Sequence, residues 1–242
     1  MDDDNIKVDN RYNCPVVASY PENIRGNMDL LKEKHVTFIQ PFLPIARPKA
    51  LSARLRHELK LKGIRVSKRA VNKAVISAYA ELERYKHDVL AKGHEIIQNA
   101  KASGRHLILL AGRPYHIDPE INHGIPQMLS SYGLSVISED CVRDISVTQE
   151  QTGLVNQWSY HARLYHAAEV AAEDPAITLI QLSSFGCGLD AITTDQVRDI
   201  LEKHGRIYTL LKLDEVSNLG SARIRLRSLL ATISRRREKA FE

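Results

Sequence analysis

Four short apolar runs in the second half of the chain constrain the fold more than any other feature. They are HLILLAG (His106 to Gly112), LSVIS (Leu134 to Ser138), AITLIQL (Ala176 to Leu182) and RIYTLLKL (Arg206 to Leu213). Each is continuous rather than alternating, which is the pattern of strands covered on both faces. Helical patterns lie between them. NHGIPQMLSSYG holds Pro126 in its first turn and Gly133 as its stop. The next helix carries Leu154, Trp158, Ala162, Tyr165 and Ala168 at helical spacing. Thr193 to Gln196 fits a capping box opening a helix that runs to Gly205, and SARIRLRSLLATISRR closes the series. Strand and helix in this rhythm imply right-handed βαβ units. The expected fold class is α/β, with a flavodoxin-like parallel lobe over 105–242 and helices on both faces.

Residues 1–104 read differently, as a partial α/β lobe with a helical pair. Brief strands are expected in CPVVASYP and over Val36 to Ile45. A helix follows with Leu51, Leu55 and Leu59 on one stripe. A much longer one, capped by Ser67 and reaching about Gly104, repeats Val71, Val75, Ala78, Leu82, Tyr85 and Val89 at packing-seam spacing. Gly93 weakens that helix locally. The strands are too few for a complete lobe, so the chain reads as a fragment of a longer polypeptide. It has no internal repeats and no low-complexity tracts.

Composition narrows the function classes. Of 242 residues, 43% are hydrophobic and 26% charged, an ordinary globular balance. No run approaches the roughly 20 apolar residues of a membrane span. The opening MDDDNIKVDN is acidic and is no signal peptide, which places the protein in the cytoplasm. The net charge of +5 is spread among acids except in Lys60 to Lys73 and Arg235 to Arg237. Both stretches read as solvated helix faces, without a nucleic-acid-binding signature.

In an open parallel sheet, ligands bind beyond the carboxyl ends of the strands. The sequence places Gly112-Arg113-Pro114-Tyr115-His116 after the first strand and Ser138-Glu139-Asp140-Cys141 after the second. Ser183 to Gly188, including Cys187, follows the third, and Asp214-Glu215 the fourth. Two of the three cysteines thus meet on one edge. Cys187 lies between glycines just before a helix, where a thiolate is favoured. Cys14 precedes Pro15 and reads as a loop residue. Three such thiolates suit a [4Fe–4S] cluster with one open iron, or zinc completed by His116 or His123. The bland alternative is three buried small hydrophobes. Arg113 suits a phosphate or carboxylate, or equally a salt bridge holding its loop. His161 and His166, five apart on one helix, read as surface or partly buried residues. No Walker loop, GxGxxG or GxSxG is present.

CPVVASYPENIR, LLAGRPYHIDPEINHGIP, NQWSYHARLYHAAE, SSFGCGLDAITTDQV and LKLDEVSNLGSARIRLRSL resemble the dehydratase-like part of large acyl-CoA dehydratase activase-related proteins. The resemblance covers nearly all of the chain from Cys14. It implies the 2-hydroxyglutaryl-CoA dehydratase and benzoyl-CoA reductase superfamily, whose subunits hold a [4Fe–4S] cluster on three cysteines between flavodoxin-like lobes. The matching positions are Cys14, Cys141 and Cys187. An ATPase activator would then be the electron donor and an acyl-CoA the substrate, with Arg113, Tyr115, His116 and Ser184 lining the crevice in unassigned roles. Pairing of clusters between subunits would make a homodimer. The alternative is a zinc-bound or metal-free binding and interaction domain without catalysis of its own, its helical pair docking the activator.

Overall fold

The apolar runs of the second half do form strands. In a computed structural model that describes residues 6–148, 153, 155–184, 186–213 and 219–239, the chain divides into two compact units. One is built on Asn13–Asp88, the other on Val89–Glu242 together with Asp3–Tyr12.

The first unit holds helices α1 (Pro15–Asn27), α2 (Leu30–Glu33) and α3 (Pro48–Leu61), and the start of α4 (Lys68–Ala102), which continues into the second unit. Neither strand expected here exists. CPVV opens α1 instead: Pro15 takes the first helical position, where its missing N–H costs nothing, and the Cys14 sulfur accepts the Val17 N–H at 3.5 Å. Over Val36 to Ile45, Pro41 and Pro44 remove ladder donors, and the segment is irregular, with Phe42 88% exposed. α3 and α4 are helices where the sequence places them, and the Ser67 hydroxyl accepts the Ala70 N–H at 3.1 Å at the head of α4. Lys60, Lys62, Arg65, Lys68, Arg69 and Lys73 are all exposed, as a solvated basic stretch should be.

The second unit is the parallel lobe. Its elements are β1 (Leu107–Ala111), α5 (Pro119–Asn122), α6 (Ile125–Ser131), β2 (Ser135–Ser138), α7 (Ser159–Glu173), β3 (Ile177–Ser184), α8 (Gly188–Lys203), β4 (Thr209–Leu213) and α9 (Gly220–Lys239). All four strands are parallel, in the order β2-β1-β3-β4, with Leu109 opposite Ile137 and Leu179, and Leu182 opposite Leu211. This is the flavodoxin-like order over its first four strands, with the reversal between β1 and β3.

Alternation along the strands builds two cores. Leu107, Leu109, Ile177 and Leu179 pack with Ala167, Ala168 and Ala171 of α7 and with Val89 and Ile97 of α4. Ile108, Leu110, Ile180 and Leu182 pack with Leu129 of α6 and Leu226 of α9. Covering both faces is why the strands read as unbroken apolar runs. Full burial of each such side chain favours folding by roughly 1.5–3 kcal/mol. α8 starts at Gly188, five residues before the expected capping box. Thr193 lies inside it and donates to Leu189 O at 2.9 Å. No described helix is long and apolar enough to cross a membrane.

Candidate functional site

The loops after β1 and β3 meet where the strand order reverses, and a buried ion pair joins them. Arg113 is 5% exposed. Its Nε and Nη2 donate to Asp190 Oδ1 at 3.0 and 2.6 Å. Asp190 Oδ2 accepts from Ser183 Oγ at 3.3 Å and the Ser184 N–H at 3.4 Å. Burying both charges is tolerable because each is paired and hydrogen-bonded. The carboxylate expected for Arg113 is therefore supplied by the protein itself, and the guanidinium holds its loop. Asp190 carries no sequence motif. Its one signal is an acidic residue in the first turn of a helix.

The same Nη2 lies 2.9 Å from His161 Nε2 and 3.3 Å from Cys187 Sγ. Arginine has no acceptor, so His161 Nε2 accepts and its ring proton belongs on Nδ1, which is buried without a hydrogen-bond partner among the described residues. Burial, then the Arg113 charge, lowers His161 to about 4. His161 and His166 are both buried, at 3% and 2% exposure, correcting their reading as surface or partly buried residues. α7 is small and apolar on so many sides that nearly its whole circumference is enclosed.

His116 forms a second link. Its Nδ1 accepts the Arg113 N–H at 2.9 Å, so Nε2 carries the proton and donates to Ser184 Oγ at 2.9 Å. Tyr115 OH reaches the same Ser184 Oγ at 3.1 Å. Burial pushes His116 down to about 4, so it is neutral near pH 7. Gly112 makes this possible, because a Cβ there would lie 2.5 Å from His116 Nδ1. All four crevice candidates, Arg113, Tyr115, His116 and Ser184, thus belong to one hydrogen-bonded group.

The cysteines divide. Cys187 is the N-cap of α8, half-buried, against Arg113. Cys141 ends a 3-10 turn over Glu139–Cys141, packs in the α7-side core, and lies 3.7 Å from Ser138 Oγ. Burial pushes its thiol up. Cys14 is buried and belongs to the first unit. Among the described residues, no three His, Cys, Asp or Glu side chains gather to hold a metal ion, and His116 and His123 complete no zinc site. Asp214, Glu215 and Phe185 lie outside the described residues.

Glu139, beyond β2, was not singled out by any motif. It is 4% exposed. Burial, then the Asp140 charge, raises it to about 8, although its own N–H and that of Gly112 favour the charged form. Asp140 is itself paired with Arg163 at 2.9 Å. Glu139 lines a cavity of about 270 Å³ on the α6 side of the carboxyl edge. A larger cavity, about 510 Å³, lies at the opposite edge. Two of its cations are structural: Arg206 donates to the carbonyls of Ala171, Asp174 and Ile177, and Lys101 pairs with Asp174 at 2.8 Å.

A family model described as a CoA enzyme activase uncharacterised domain matches residues 1–142. The match includes Cys14, Arg113, His116, Glu139 and Cys141, and ends before His161, Ser184, Cys187 and Asp190. No curated protein matches the chain, and no solved structure matches it.

Proposed function

This chain belongs to the family of the CoA enzyme activase uncharacterised domain, and from that premise we propose that it is a metal-free binding and interaction domain of an activase-related protein. The observation that carries this reading is the closed charge balance of the switch point. Arg113 is neutralised by Asp190, and His116 is kept neutral by burial. Such a site is matched in charge and hydrogen-bonded, suited to holding the two loops together rather than exchanging protons. The partner would be an ATPase activator or a dehydratase of the same system. The test is binding of a purified ATPase activator by the full chain and by a variant with Cys14, Cys141 and Cys187 changed to Ser. Equal binding supports the reading, and loss of binding in the folded variant overturns it.

A second reading is favoured by Cys141 and Cys187 standing on the same carboxyl edge, two strands apart across β1. In it the chain is the dehydratase-like iron–sulfur redox component, with Cys14, Cys141 and Cys187 as ligands. It would take a low-potential electron from the activator and pass it to an acyl-CoA or another small substrate. That requires the three sulfurs to come together. Anaerobic reconstitution with iron and sulfide decides between the two. About four irons per chain, lost in Cys187→Ser, supports the cluster. A folded chain that takes up no iron supports the metal-free domain.

A further inference from the structure

Residues 47–73 run through α3, the turn after it and the head of α4. They hold ten lysines and arginines and one acid, Glu58. The whole chain is +5, so this one segment carries more than the entire surplus, and the rest is net negative. All ten cations are exposed, and among the described residues only Arg54 has a carboxylate partner, Glu58 at 2.8 Å. Lys49, Arg56 and Lys60 fall on one side of α3. Arg69, Lys73 and Ile76 fall on one side of α4, back to back with the buried Val71 and Val75. Ile76 is 69% exposed, and Leu61, at the tail of α3, is 65% exposed. We propose that this face docks an acidic protein surface with an apolar centre. The proposal rests on the interaction reading and deepens it, naming the surface and the chemistry of the partner.

The charge does not serve the helices that carry it. The head of a helix is the positive end of its dipole and favours acids. α3 opens Arg47-Pro48-Lys49 and α4 opens Lys68-Arg69, with no acid in either first turn. Those cations add to the dipole fields instead of opposing them, which leaves a positive potential that an anionic partner relieves. Exposed charges of this kind give little to the fold but steer and orient an acidic partner. The aliphatic residues then choose among polyanions. From 47 to 76 there is no Phe, Tyr or Trp on which a base could stack, and a phosphate backbone would leave Leu61 and Ile76 unmatched. A membrane surface would take the apolar stripe of an interfacial helix, but Leu51, Leu55 and Leu59 of α3 are half-buried in the fold. A protein face with carboxylates around an apolar centre matches both kinds of residue.

The probe is a helical peptide of about 20 residues with glutamates flanking a stripe of leucines, titrated into the full chain by fluorescence anisotropy. It is expected to bind saturably, and at least tenfold more weakly when salt rises from about 0.05 to about 0.5 M. Arg56→Gln, Lys60→Gln, Arg69→Gln and Lys73→Gln together should weaken it at least tenfold. The same charge removed from the second unit, by Lys92→Gln, Arg105→Gln, Arg223→Gln and Arg227→Gln, should leave it within about threefold. Ile76→Ser should abolish the preference for this peptide over one with serines in place of the leucines. A purified ATPase activator is titrated in the same way. Activator binding that the first four substitutions leave undiminished would overturn the surface and leave the interaction reading intact. Peptide binding without activator binding would support the surface and remove the activator as its partner. No saturable peptide binding, an equal loss in the second-unit variant, or tighter binding of a DNA duplex or of phosphatidylserine vesicles than of the peptide would overturn the proposal.

Discussion

Replacing Gly93 by alanine sets helix propensity directly against close packing. In the interior of an exposed helix this change stabilises by about 1 kcal/mol. Gly93 lies within α4, where a β-carbon would stand 2.5 Å from Cys141 Cβ and 3.1 Å from both the Cα and the carbonyl oxygen of Cys141. None of those atoms is the tip of a flexible side chain, so no rotamer change relieves the overlap. The backbone of the Glu139–Cys141 turn, or α4 itself, must move. Overpacking of that kind costs roughly 1–3 kcal/mol, which exceeds the propensity gain over most of its range. Gly93→Ala is therefore expected to destabilise the second unit by about 1 kcal/mol, read as a lower urea midpoint at unchanged m. Cys141→Gly removes the opposing Cβ, and in that background the same substitution should cost less, with a coupling of about 1 kcal/mol in the double-mutant cycle. Stabilisation by Gly93→Ala in the wild-type background would refute the close approach.

Further outcomes follow from the same site. Asp190→Asn leaves the buried Arg113 charge without its counter-ion and should destabilise by about 3 kcal/mol, whereas Arg113→Met with Asp190→Leu should cost much less; urea denaturation of both variants checks this. His116 and His161 titrate near 4 when folded and about 6.5 when unfolded, so between those values the unfolded chain binds more protons. Stability should be unaffected by these two groups above pH 6.5 and fall as the pH drops from 6.5 toward 4, each contributing up to about 1.4 kcal/mol per pH unit. Equal urea midpoints for wild type at pH 7 and 5, or the same loss in a His116→Gln, His161→Gln variant, would contradict this. Cys187 is half-buried while Cys14 and Cys141 are buried, so limited maleimide treatment followed by peptide mass spectrometry should find Cys187 labelled first.

Much of the second unit was legible in the sequence because its signals are local. Each strand is covered on both faces, so burial appears as an unbroken apolar run, and Gly112, Gly133 and Gly205 punctuate the runs. Residues directly after a strand fall on the carboxyl edge whatever the strand order, which is why Arg113, Tyr115, His116, Ser184 and Cys187 were placed at one crevice. In the first unit the signals misled. Val16 and Val17 are β-formers beside a proline, and the proline's fit to the first turn of a helix prevailed.

What the chain alone determined is the set of elements and the edge on which its chemistry-bearing residues stand, since both follow from spacing along the sequence. The tertiary structure decided what those residues do to one another. Asp190 lies 77 positions from Arg113, and nothing in the spacing of either announces the pair. Packing of α7 against the sheet turned His161 into a buried neutral acceptor, and enclosure beyond β2 turned Glu139 into a weak acid. Protonation and pairing depend on the solvent each group loses and the charges it meets, and those are fixed only when distant segments close over it.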